Sequence, residues 1–113
     1  MAQELPKAEW RHFLDYISRQ LIGKQMELEV ASLELGDQIL AEWLPVLGIA
    51  YDPKDDLIEV ALEGYDHMIL SPRSLYVEGG VDAVMSVEVI DKIGAHEIMK
   101  FREPLMLSGP KPH

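Results

Sequence analysis

The densest polar chemistry in this chain lies where Asp66, His67, Arg73 and Tyr76 follow one another closely. A carboxylate beside a histidine can tune the imidazole near neutral pH, and an arginine offers a planar fork of donors to a carboxylate or phosphate. These four are the candidate ligand-binding residues, with no catalytic role assigned to any of them. Adjacent residues of a strand point to opposite faces, so Asp66 and His67 need not touch. Arg73 has many surface acids with which to pair, and its long stem can simply lie along the surface.

Other chemistry-bearing residues lack a supporting pattern. Asp52, Asp55 and Asp56 supply the oxygen donors that Ca²⁺ and Mg²⁺ prefer, but without the alternating acids, sixth-position glycine and distant glutamate of an EF-hand loop. Asp52-Pro53 reads as turn chemistry. His12, His67, His96 and His113 never reach the close spacing of H-E-x-x-H. Ser18, Ser32, Ser71, Ser74, Ser86 and Ser108 have no G-x-S-x-G setting, and Gly79-Gly80 reads as a turn rather than a phosphate cradle. With no cysteine in the chain there is neither a thiolate ligand nor a disulfide framework. The expectation is no metal and no cofactor. Trp43, in an alternating apolar run, reads as core, with a partner-facing aromatic patch as the alternative.

A chain of 113 residues fits one domain, and an apolar share of 48% beside 27% charged residues is that of a folding chain. No stretch approaches the roughly 18 to 20 apolar residues that span a bilayer, and the N-terminus carries acids where a signal peptide needs an apolar run. A cytoplasmic location is expected. The net charge is -10, and from Glu27 to Asp66 eleven acids face a single base, Lys54. Such a surface repels phosphate backbones, so neither nucleic acid nor an anionic membrane is an expected partner. Its simplest role is solubility.

These residues must be positioned by a helix and a set of strands. Trp10, Phe13, Leu14, Ile17 and Leu21 recur at helical spacing, which predicts a helix over about 6–22, with Pro6 in its first turn and Gly23 ending it. The whole apolar stripe, Phe13 included, is expected to be buried. Arg11, Asp15 and Arg19 stand four apart on the opposite face, at ion-pair spacing. After Gly23 the period changes to two, and short strands follow over about 25–103. DPKDD and DKIG read as the turns of two hairpins. About seven short strands and no second helix predict a mainly β (α+β) fold: an N-terminal helix packed on a bent antiparallel sheet or small barrel. The domain is expected over 1–107, with 108–113 as a flexible tail.

The segments GIAYDP at 48–53 and DHMILSPRSLYV at 66–77 resemble a family of small bacterial proteins described only as a domain of unknown function. The likeness runs from Trp10 to Leu107 and implies a bacterial cytosolic protein, without carrying catalytic residues over. The leading functional expectation is a non-enzymatic binding or assembly module. The alternative is a small enzyme or ligand-binding protein built on Asp66, His67, Arg73 and Tyr76. Exposed sheet edges favour a homodimer, with any protein or small-molecule partner left open.

Overall fold

The computed structural model describes residues 2–80 and 83–106, so the expected tail at 108–113 lies outside the described residues. The helical stripe forms α1, Trp10–Leu21, preceded by a single 3-10 turn at Lys7–Glu9. This is shorter than the expected 6–22. Pro6 stands just outside the first turn, with ψ 142, because its chain still arrives extended from the neighbouring strand. Gly23 takes the expected C′ position after the C-cap Ile22, with a positive φ. Ile22 (ψ 124) and Gly23 (φ +84) are the central residues of a type II turn, closed by the Lys24 N–H on the Leu21 carbonyl at 2.8 Å. That turn requires a positive φ at its third residue, which glycine adopts without strain. Arg11, Asp15 and Arg19 form no ion pair among the described residues, as exposed side chains lose more entropy than such pairs return.

Among the described residues eight strands make one antiparallel sheet: β1 (Ala2–Glu4), β2 (Gln25–Ser32), β3 (Gly36–Asp52), β4 (Leu57–Leu62), β5 (Tyr65–Leu70), β6 (Ser74–Gly80), β7 (Ala83–Ile90) and β8 (His96–Met106). Their order is β1-β6-β7-β8-β2-β3-β4-β5, so the sheet is open and is not a barrel. The strand count exceeds the expected seven. β1 is a three-residue edge with no alternating pattern, and it is held by pairing Glu4 with Tyr76.

ILAEW and VLGIAY are not separate strands but parts of the 17-residue β3. Register shifts opposite Met26–Leu28 and Leu28–Glu29, and a third between Val46 and Gly48, insert extra residues into β3. Each bulge bends the strand and raises its twist. The first half of β3 therefore pairs with β2 and the second half with β4, carrying the chain from one half of the sheet to the other. Trp43 lies in this bent stretch with φ 53 and is half-buried rather than core. The Arg102 guanidinium lies 5.8 Å from its ring.

Helix α1 buries Trp10, Leu14, Ile17 and Leu21 in one cluster with Met26, Leu28, Ile49, Val60, Leu75, Val87 and Met99. Each such side chain contributes about 1.5–3 kcal/mol, which holds a helix too short to persist alone. Polar contacts fix its position. The Trp10 indole N–H donates to the Leu5 carbonyl at 2.8 Å, and the Ile49 N–H donates to Ser18 Oγ at 2.9 Å. Phe13 departs from expectation: it is only partly buried, packing on the cluster's margin. Its position is 100° of helix away from Leu14, which takes the centre of the stripe.

Gly79 shows where the backbone itself decides the residue. Its φ is +142, and a Cβ there would fall 2.1 Å from the Ala83 carbonyl oxygen. Gly79→Ala is expected to cost at least about 2 kcal/mol in denaturant unfolding. A loss below about 0.5 kcal/mol, as at ordinary surface positions, would show that β6 and β7 move apart freely.

Candidate functional site

The pleat of β5 separates the residues that the sequence places side by side. Asp66 pairs with Ala61 and His67 with Val60, so the first faces outward and the second faces the core. Asp66 is exposed beside Glu59, whose carboxyl is raised by a hydrogen bond with Asp66 and then by the repulsion between the two charges. Arg73 is exposed in the β5–β6 connection, where its backbone N–H donates to the Ile90 carbonyl. Tyr76 lies on β6 between Glu4 of β1 and Glu88 of β7. No hydrogen bond or ion pair joins any two of these four residues among the described residues.

His67 instead meets Glu97. Its Nε2 lies 2.5 Å from Glu97 Oε1, and the two side chains are 19% and 7% exposed. Glu97 belongs to β8, in the middle of the sheet, whereas β5 is its far edge. The pair therefore clasps the edge strand across the fold. Tyr65 stacks on the His67 ring, 6.2 Å between centroids and 10° between planes. Burial raises the Glu97 carboxyl above its ordinary 4.5, the His67 hydrogen bond lowers it, and Asp91 raises it again, with a net upward direction. Asp91 is itself anchored, accepting the Ile93 and Ala95 N–H groups at 3.0 Å each.

This acid–acid–imidazole chain can hold or move a proton between Glu97 and His67. Four surface clefts among the described residues are lined by other residues, without His67, Glu97 or Asp91. Sequence reasoning passed over Glu97, although a signal was present. In HEIMKF the period of two puts Glu97 on the same face as Met99 and Phe101, an acid on an apolar stripe.

Other polar residues serve the fold locally. Asp52 Oδ1 accepts the Lys54 N–H at 2.9 Å and so shapes the β3–β4 turn. Asp56 accepts the Tyr51 hydroxyl at 2.8 Å and the Lys7 ammonium at 3.0 Å. Burial and that hydrogen bond push the Tyr51 hydroxyl up to about 12. His12 is exposed, His96 meets Glu88 at 2.6 Å, and His113 lies outside the described residues.

Two surface features remain. At the tips of the β2–β3 and β7–β8 hairpins, Leu33, Leu35 and Ile93 are exposed around a cleft of about 430 Å³. The other feature is the free side of β5, which among the described residues pairs only with β4. Ser71 donates its N–H to the Asp56 carbonyl at 2.9 Å, which continues the β4–β5 ladder. In an antiparallel ladder the bonded residues alternate, so Tyr65, His67 and Ile69 face β4 with their backbone groups. The N–H and C=O groups of Asp66, Met68 and Leu70 face outward. Ser71, at φ 50, then turns the chain away, and β6 joins the opposite half of the sheet instead of covering this edge.

A helix wrapped by an open antiparallel sheet, with an inner polar clasp and a six-residue free edge at β5, defines a small single-sheet α+β protein. The chain belongs to the Family of unknown function (DUF5335), whose profile matches residues 1–110. It is similar to an "Uncharacterized protein" of Aquifex aeolicus (strain VF5), 38% identical over 104 residues that make up 91% of this chain and 94% of that one. No solved structure matches. No helix among the described residues is long and apolar enough to cross a membrane.

Proposed function

We propose that the protein is a non-enzymatic assembly module that takes up a further β-strand along the free edge of β5. One observation carries this reading: a six-residue edge with the backbone groups of Asp66, Met68 and Leu70 facing outward and, among the described residues, no strand beside them. Such an edge is a template for strand addition. Met68 and Leu70, 45% and 59% exposed, supply apolar contact on the outer face. The opposite end of the sheet is a poorer template, since β1 has three residues and ends in an acid.

In-cell photocrosslinking from position 68 tests it. A photoreactive residue at 68 is expected to give a discrete protein adduct that a control at exposed Lys54 does not give. Leu70→Pro should abolish the adduct, because it removes an outward N–H without touching the ladder to β4. Equal labelling from both positions, or an adduct indifferent to Leu70→Pro, would overturn the reading. The cytoplasmic setting expected from the sequence is part of this proposal, and the same experiment is done there.

A further inference from the structure

We infer that the strand added at β5 is the β5 of a second copy, antiparallel to the first about a twofold axis at Met68. This rests on the assembly reading above and specifies its partner and register. Outward backbone groups belong to Asp66, Met68 and Leu70. Centring the axis on Met68 sets Met68 against its own copy and Asp66 against Leu70 of the other chain, in both directions. All three outward residues then exchange hydrogen bonds with outward residues. A register centred on residue 67 or 69 uses only two of them, and one centred on Asp66 or Leu70 uses one.

The backbone pairing selects this register, and charge excludes one centred on Asp66. Asp66, Met68 and Leu70 share the outer face of β5, so the two Met68 side chains meet at the axis and each Leu70, opposite Asp66 of the other chain, lies diagonal to the other chain's Met68, which reduces the exposure both have alone. The two Asp66 carboxylates end up four residues apart along the pair, about 13 Å, beyond the Debye length of about 8 Å at physiological salt. Centring on Asp66 places like charges directly opposite, which is destabilising. A closed twofold contact also stops at two chains, whereas a heterologous strand addition propagates. One short edge is small beside the roughly 1,200 Å² of a stable interface. With a net charge of -10 on each copy, the dimer is weak and strengthened by salt.

The absence of native cysteine makes a direct test available. Hydrogen-bonded antiparallel partners have Cα atoms about 5.5 Å apart, within disulfide range. Under mild oxidation, Met68→Cys is expected to give disulfide dimers. Their yield should rise several-fold between about 0.1 M and 1 M salt, as the Debye length falls from about 10 Å to 3 Å. Asp66→Cys or Leu70→Cys alone should give few dimers, and an equimolar mixture of the two should give the mixed species. Adding Leu70→Pro to Met68→Cys should suppress dimers to background. Preferential dimers of Asp66→Cys or Leu70→Cys alone would overturn this register while leaving edge assembly intact. No dimer at any of the three positions, while the position-68 adduct persists in cells, would mean that another protein supplies the strand. Loss of both signals would remove the assembly reading as well.

Discussion

Replacing His67 by alanine is expected to destabilise the protein by about 3–5 kcal/mol at neutral pH, the cost of breaking a buried pair from one side. The Glu97 side chain is 7% exposed, and its remaining polar neighbour is another acid, Asp91. Without the imidazole the carboxylate must stay charged and unpaired or take up a proton, so the loss should shrink toward pH 4. Glu97→Gln is expected to restore part of the stability in the His67→Ala background, a coupling that a double-mutant cycle reads directly.

Glu97→Gln alone carries a definite sign. The folded-state value of Glu97 lies above the ordinary 4.5. Such a group contributes stability that is fully present below its unfolded value and is lost as pH rises through the folded value. The glutamine chain lacks this loss, so its stability relative to the native chain should increase from pH 4 to pH 7. Guanidinium unfolding across that range measures it, and an offset independent of pH would show that the carboxyl titrates alike in both states.

The second large effect is in the helix. Leu14→Ala is expected to cost about 2–5 kcal/mol, since Leu14 is fully buried between α1 and the sheet and the rigid surroundings close only partly over the cavity. That is a large fraction of the 5–15 kcal/mol stability of a typical domain. Phe13→Ala, one residue away, should cost clearly less, because Phe13 sits on the margin of the cluster. Urea unfolding of the two variants gives the comparison. Equal losses would place Phe13 in the core after all, and a Leu14→Ala loss under about 1 kcal/mol would mean that α1 docks without that contact.

Much of the local structure was legible because it depends on short-range periodicity. Trp10, Leu14, Ile17 and Leu21 mark one face of α1, and the alternation in MELEV, LIEVAL and VMSVEVI marks strands with one inward side. The turns DPKDD and DKIG carry their own side-chain caps in Asp52 and Asp91, so the hairpins β3–β4 and β7–β8 follow from sequence alone. The same period of two already placed Asp66 and His67 on opposite faces.

Tertiary structure decided what sequence neighbours do not specify. The bulges that fuse two apolar runs into β3 exist only because β2 and β4 pair with different halves of it. Phe13 and Leu14 are both apolar and both on the stripe, and only the position of the sheet makes one central and the other marginal. His67 and Glu97 are thirty positions apart, and nothing local to either announces the other. They meet because the sheet folds its edge strand back over its middle, where two polar groups buried away from water must satisfy each other. The free edge of β5 has the same origin. It stays open because the Ser71 backbone at φ 50 sends the chain to another part of the sheet, and which strand lies beside which is a property of long-range packing that no local pattern encodes.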